Sequence, residues 1–205
     1  MRDDATRTGR GLDRVVNFTD AAVAIAITLL VLPLVDLAAT DDVGSVREVL
    51  VDHRSSFVAF AVTFAVIGRF WVIHHRLFEA LQTYTPAVLV VNLVWIAAIV
   101  FFPFAAQLVA DLSDDDPTAV VVYIGVMVVA SGCLATTSAI VVRNLDLQRP
   151  DVRGTIRVRD SLVPMGLLVV ALVLAAVFPA GGLLWLLVLL LAGPVGALVD
   201  RALGR

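Results

Sequence analysis

Long stretches without a charged residue recur along the whole chain. The longest comprises 39 residues, 161–199, and residues 80–110 form another. One membrane crossing needs only about 20 apolar residues. The chain is also 60% hydrophobic, with a mean hydropathy of +0.97, far above the values typical of soluble domains. The sequence therefore predicts an integral membrane protein and excludes the soluble classes.

The uncharged runs and their breakers predict an all-α membrane protein with six transmembrane helices. The six predicted helices cover residues 15–37, 55–77, 86–110, 118–142, 161–179 and 183–200. Residues 1–13 are polar and form a predicted cytoplasmic tail, which leaves 14–205 as one six-helix domain. A cleaved signal peptide is the rival interpretation of the N-terminus, but Asp20 borders the apolar run where signal peptides favour basic residues.

Arginine placement predicts the orientation of the chain. Basic residues concentrate in the N-terminal tail, the second-to-third connection, residues 143–160 and the C-terminus, whereas the first and third connections carry acids. Because basic loops remain on the cytoplasmic side, we expect both termini in the cytoplasm of a multi-pass protein of the cell membrane, which we expect to be a bacterial plasma membrane.

Polar side chains cluster at the predicted cytoplasmic ends of the first three helices. Ionisable groups inside spans are costly and usually pair with one another, so we expect a structural network there. A proton relay or pH-sensitive gate is the alternative, because histidine titrates near neutrality. Adjacent histidines point about 100° apart on a helix, which argues against a metal site. The candidate residues are Asp20, Arg69, Trp71, His74, His75 and Asn92.

The first helix has a narrow face that is a candidate ion pathway. Only 15 uncharged residues separate Asp20 from Asp36, which is short for a span exposed to lipid and favours a central position. On a helical wheel Thr28, Leu29, Leu32 and Asp36 fall within about 60° of Ile25, whereas Asp20 lies about 140° away. Packing alone also explains such a face, with Thr28 bonded to its own helix backbone, and Pro33 makes the position of Asp36 the least secure.

Specific motifs resemble one known family. Arg14-x-x-x-Phe18-Thr19-Asp20 followed by AVAIAITLLVL resembles the R-x-x-x-F-S-D motif of the endosomal and lysosomal potassium channel family, transmembrane protein 175. Thr19 replaces the usual serine and keeps the hydroxyl group. The segment FWVIHHRLF, Asn92 and Phe102-Pro103-Phe104 extend the resemblance over residues 14–104.

The resemblance implies a homotetramer with helix 1 around a central pore that lacks a TVGYG filter. It implies a constriction at Ile25, a second apolar ring at Leu32 and potassium preference at Thr28. The helical wheel adds Leu29 to the predicted constrictions and Asp36 as a cation-attracting outer mouth. It also implies that a structural network holds the helices together. The network residues are Arg14, Phe18, Thr19, Asp20, Arg69, Trp71, His74, His75 and Asn92.

The sequence thus predicts a potassium-preferring cation channel. Its expected partners are potassium ions, other monovalent cations more weakly, the lipid bilayer and further copies of the chain. We expect no nucleic-acid partner, no cofactor, no bound metal and no enzymatic activity. A proton-coupled transporter that uses Asp20 and the two histidines, or a non-conducting membrane scaffold, remain alternatives.

Overall fold

The computed structural model describes residues 9–39, 45–112 and 116–202. These residues form eight α-helices and three 3-10 helices. The α-helices are α1 (Gly9–Leu29), α2 (Leu32–Ala39), α3 (Val46–Asp52), α4 (Arg54–Glu79), α5 (Pro86–Leu112), α6 (Thr118–Arg143), α7 (Arg159–Val177) and α8 (Ala192–Ala202). The 3-10 helices are Leu145–Leu147, Pro150–Val152 and Pro179–Leu191.

Six helical stretches of the described residues are long and apolar enough to cross a membrane. They are Arg10–Leu37, Arg54–Glu79, Pro86–Asp111, Thr118–Arg143, Arg159–Val177 and Pro179–Leu198, and we number them spans one to six. The predicted six-helix all-α membrane fold is thereby confirmed. The short connections leave no described part of the chain as a separate folded domain.

Span one differs from the single helix predicted over 15–37. Its first helix begins earlier, at Gly9, because Leu12 is buried in a small cluster with Phe78, Leu81 and Val88. The helix is interrupted at Leu30 and Val31, whose N–H groups bond to carbonyls only three residues back. Pro33 explains the interruption, because it has no N–H to donate to the carbonyl of Leu29 and its ring crowds that carbonyl.

Span six also differs from its predicted helix over 183–200. Residues Pro179–Leu191 form a 3-10 helix, and α-helix follows only from Ala192. Gly182 interrupts the first turns with a φ of 48°, a conformation that glycine adopts readily. The indole Nε1 of Trp185 donates to the carbonyl of Phe178 at 2.9 Å, which ties the sixth span back to the end of the fifth.

The core lies between α1, α4, α5, α6 and α7. Phe102 is fully buried, and its ring packs against Phe70 from α4 and edge-on against Tyr123 from α6. The Tyr123 hydroxyl lies 3.2 Å from the Thr63 hydroxyl, which gives both polar atoms a partner inside the bundle. α6 contributes many small buried residues, including Cys133, as expected where helices approach closely in a membrane.

The connections after spans two and four meet at one end of the bundle. The N–H of Gln82 donates to the carbonyl of Leu147, and the N–H of Arg149 donates to the carbonyl of Ala80, both at 2.9 Å. The fully buried side chain of Gln148 donates to the carbonyl of Val141 and accepts from the N–H of Gly154. The two connections therefore lie on the same side of the bundle, as alternating spans require.

Candidate functional site

The first span has one buried side and one side that no described residue covers. Val23, Ala26 and Leu30 are buried in the core against α4 and α5. The uncovered side carries Ile25, Thr28 and Leu29, followed by Leu32 and Asp36 beyond the interruption. Ile25 is 59% exposed and Leu32 is 51% exposed. All five residues of the predicted pathway thus lie on the uncovered side of the subunit.

The Thr28 hydroxyl donates a hydrogen bond to the carbonyl of Ile25 at 2.7 Å. This bond to its own helix is the packing role considered for Thr28 from sequence. It also fixes the direction of the hydroxyl hydrogen, so that the lone pairs of the oxygen remain available on the exposed side. An oxygen held in this way is suited to replace part of the hydration shell of a cation.

The position of Asp36 depends on the interruption at Leu30 and Val31. The wheel that placed Asp36 near Ile25 assumed one continuous helix, whereas Asp36 belongs to α2. Its carboxylate is exposed at the end of span one opposite to Asp20. Asp36 therefore shares the exposed side with Ile25, but not a rigid helical register with it.

A directed chain of hydrogen bonds joins α1, α5 and α4 on the buried side. The Thr19 hydroxyl donates to the carbonyl of Val15 at 2.8 Å, and the Asn92 amide nitrogen donates to the Thr19 oxygen at 2.9 Å. The Asn92 amide oxygen lies 2.7 Å from His74 Nε2. An amide oxygen only accepts, so Nε2 carries the proton of the His74 ring.

His74 is enclosed by aromatic rings. Its ring stacks on Phe78 and on Trp95, with centroid separations of 4.1 and 4.2 Å. It is only 1% exposed, and its Nδ1 has no hydrogen-bond partner among the described residues. A neutral ring whose single N–H is satisfied fits such an enclosure, whereas a charged ring would leave a buried N–H unpaired.

A second contact holds α1 to α4. The indole Nε1 of Trp71 donates to Asp20 Oδ1 at 2.8 Å, and the Trp71 ring stacks on His75. His75 Nε2 in turn lies 3.3 Å from Glu79 Oε1. Asp20 thus faces α4 and not the uncovered side, in agreement with its wheel position. His74 and His75 point to different partners, and the described residues contain no cluster of three or more metal-ligating side chains.

Three residues of the predicted network lie elsewhere. Phe18 is 59% exposed, and Arg14 is exposed beside it at a hollow that both line. Arg69 lies on the other side of α4, where it lines a cavity with residues of spans four, five and six. Depth in the membrane was the argument for including Arg69, but Arg69 and Trp71 point about 160° apart on one helix. The prediction that Arg69 belongs to the network with Asp20 is therefore wrong.

Sequence reasoning missed Trp95, the second ring against His74. The residue stands three positions after Asn92, which places both on nearly the same face of α5. Its indole Nε1 is buried without a partner among the described residues. An aromatic residue one turn from a buried amide was the available signal.

Residues 14–103 match the model of the family described as endosomal/lysosomal potassium channel TMEM175. A potassium channel of Streptomyces collinus is 33% identical over 103 residues, which are 50% of each protein. A potassium channel of Chamaesiphon minutus is 35% identical over 48% of this chain and 49% of its own length. The endosomal/lysosomal proton channel TMEM175 of Gallus gallus is 29% identical over 50% of this chain and 22% of its own.

The similarity extends further in structure than in sequence. The crystal structure of a lysosomal potassium-selective channel TMEM175 homolog from Chamaesiphon minutus superposes with a TM-score of 0.69 at 25% identity. The superposition covers 88% of this chain and 94% of that one. The sequence matches to the two curated bacterial channels, by contrast, span about half their length. The residues that match the family model, 14–103, cover most of the first three spans, where the uncovered side of span one and the hydrogen-bonded residues lie.

Proposed function

We propose that the chain, whose residues 14–103 match the TMEM175 family model, is a potassium-preferring cation channel. The observation that carries the proposal is the uncovered side of span one, where apolar side chains and one oriented hydroxyl follow each other along the helix. A membrane protein exposes such a side to lipid, to another subunit or to a water-filled path. Two bacterial relatives are named potassium channels, which favours a water-filled path.

The proposed channel is a homotetramer with four copies of span one around the axis. Repeated around an axis, Ile25, Leu29 and Leu32 would form apolar rings that control conduction by closure or by dewetting. Four Thr28 hydroxyls would offer oxygen ligands to a cation, and four Asp36 carboxylates would concentrate cations at one mouth. The hydrogen-bonded chain on the buried side would hold each span one in place.

The proposed orientation places both termini in the cytoplasm of a cell membrane. Its support is the alternation of basic and acidic connections along the six spans. In this orientation Asp20 and His74 lie near the inner face, and Asp36 lies at the outer mouth. A cysteine-accessibility measurement on Asp36→Cys in intact cells checks the outer position, with Asn144→Cys as the inner control.

Proteoliposomes loaded with potassium test the function directly. Potassium efflux through the channel makes the interior negative, and a pH-sensitive dye then reports proton entry through an added protonophore. We expect dye quenching that requires the protein and the protonophore, and weaker quenching when sodium replaces potassium. Absence of protein-dependent quenching under any membrane voltage or pH would contradict the proposal.

The same vesicles test proton conduction, which the name of the Gallus gallus relative raises. With valinomycin added in place of the protonophore, quenching depends on protons crossing through the protein. Quenching only in the protonophore arrangement supports a potassium pathway. Protein-dependent quenching in the valinomycin arrangement, without the protonophore, supports proton conduction instead.

A further inference from the structure

A second cavity lies away from span one, between spans two, four, five and six. Its volume is about 470 Å³, within the range of sites that take small organic ligands. The deeper part is apolar and is lined by Phe70, Met127, Leu168 and Leu189. At one end the lining becomes polar, with Arg69, Asp160 and Ser161. The cavity is thus amphipathic along its length.

The polar end continues into a neighbouring hollow of about 450 Å³ that opens at the start of α7. Arg69 and Asp160 line both spaces, and Arg159 joins them in the hollow. Arg159 lies 3.2 Å from Asp160 and also reaches the carbonyl of Gly196. Two guanidinium groups therefore stand beside one carboxylate, which leaves an excess of positive charge.

Arg69 is the unexplained member of this group. It stands inside a membrane span, yet it has neither an ion pair nor a hydrogen-bond acceptor among the described residues. An arginine at membrane depth is costly and normally pairs with an acid or with backbone carbonyls. Among the described residues, Asp160 is the only carboxylate that lines the cavity with it, and that carboxylate is already in contact with Arg159.

We propose that this cavity binds an anionic phospholipid. The phosphate group lies between Arg69 and Arg159, and one acyl chain occupies the apolar part between Phe70, Met127 and Leu189. Basic pockets between helices on the cytoplasmic side are suited to anionic headgroups. The site is separate from the proposed conduction pathway and does not depend on it.

Native mass spectrometry of the full-length protein in detergent tests the proposal. The protein is titrated with a phosphatidylglycerol or with a phosphatidylcholine that carries the same acyl chains. We expect about fivefold tighter binding of phosphatidylglycerol, the contribution of one basic residue near a membrane surface. Equal binding of the two lipids would overturn the proposal.

Two variants locate the site. Arg69→Gln should abolish the preference for phosphatidylglycerol, whereas Arg143→Gln, at the exposed end of span four outside the cavity, should retain it. Ala192→Phe narrows the space at the junction of the cavity and the hollow and should weaken the binding of both lipids. Thermal melting of each variant verifies that it is folded. The same preference in Arg69→Gln and in Arg143→Gln would place the lipid elsewhere.

A third measurement separates the lipid from its headgroup alone. Inorganic phosphate is added to the protein that already carries phosphatidylglycerol. Retention of the lipid at phosphate concentrations far above the lipid concentration supports a site that uses the acyl chain. Complete displacement by phosphate would show an anion site without a lipid and would overturn the proposal.

Discussion

His74 Nε2 donates a hydrogen bond to the Asn92 side-chain oxygen at 2.7 Å, and this contact fixes the tautomer of a buried ring. The Asn92 amide nitrogen also donates to the Thr19 hydroxyl oxygen. Side-chain hydrogen bonds with defined donors and acceptors therefore join three helices. Thr19 is followed in sequence by Asp20, whose carboxylate accepts a hydrogen bond from the Trp71 indole. The base of the proposed pore helix is therefore fastened at two neighbouring points.

Replacement of Thr19 by valine should destabilise the protein. It removes the acceptor for Asn92 while it keeps the size of the side chain, and interhelical hydrogen bonds in membranes contribute about 0.6–2 kcal/mol. We expect the thermal midpoint in detergent to fall by about 1–8 °C. Thr136→Val is the matched control, because the Thr136 hydroxyl is exposed and bonds to the carbonyl of Gly132 in its own helix. Equal shifts in the two variants would contradict the anchoring role, and Thr19→Ser should behave as wild type.

Replacement of Asp20 by asparagine separates an anchor from a proton carrier. An asparagine oxygen still accepts the Trp71 indole N–H, so we expect nearly unchanged potassium flux with an unchanged dependence on pH. Asp20→Leu removes the acceptor and should lower the thermal midpoint. If Asp20→Asn abolishes flux or flattens its pH dependence in vesicles, a proton-coupled transporter becomes the better interpretation.

Replacement of Ile25 by asparagine should raise potassium leak severalfold. A polar side chain stabilises water in a narrow apolar ring, which lowers the barrier to ion entry. Flux into proteoliposomes at equal protein content measures the change. Val173→Asn, another exposed apolar residue but on span five, should leave the flux unchanged. A flux no higher than wild type in Ile25→Asn would remove this residue from the constriction.

Replacement of Thr28 by valine should reduce the preference for potassium over sodium. The change removes the only hydroxyl oxygen on the uncovered side of α1 beyond Asp20. Reversal potentials in mixed potassium and sodium solutions give the permeability ratio, which we expect to move toward one. Thr28→Ser restores the oxygen and should restore the ratio. A wild-type ratio in Thr28→Val would refute the selectivity role.

Replacement of Asp36 by asparagine should lower conductance mainly at low salt. Surface carboxylates raise the local cation concentration, by about tenfold or more in a charged cleft, and added salt screens that effect. Single-channel currents at a series of potassium concentrations measure the change. Curves for Asp36→Asn and wild type should converge as the concentration rises. A constant ratio at all concentrations would indicate a role other than charge.

Much of this architecture could be predicted from the sequence because apolar run length dominates in a membrane. Six spans and the family resemblance followed from residues whose chemistry is restrictive, such as Asp20 beside an apolar run. The direction of Asp20 was also predictable, since it needed only the regular turn of an α-helix.

Other features needed the structure because they depend on breaks in regular helix or on rotation about the helix axis. Pro33 predicts an irregularity in the helix. The location of that irregularity at Leu30 and Val31 depends on how the backbone redistributes its hydrogen bonds. Arg69 lies at a similar depth to Asp20 but on another side of α4, and depth alone does not predict which residues are in contact. The 3-10 conformation of Pro179–Leu191 could not be predicted, because a run rich in leucine has no hydrophobic periodicity that distinguishes a 3-10 helix from an α-helix.

The interruption at Leu30 and Val31 has a mechanical consequence for the proposed pore. Below it, Ile25 belongs to a helix that is fixed to its neighbours through Thr19 and Asp20. Above it, Leu32 and Asp36 belong to a short segment that is joined to that helix through weakened backbone bonds. In the proposed pore the ring at Ile25 would therefore be stiff and the ring at Leu32 compliant. Thermal motion would vary the bore at Leu32 while the bore at Ile25 keeps its diameter.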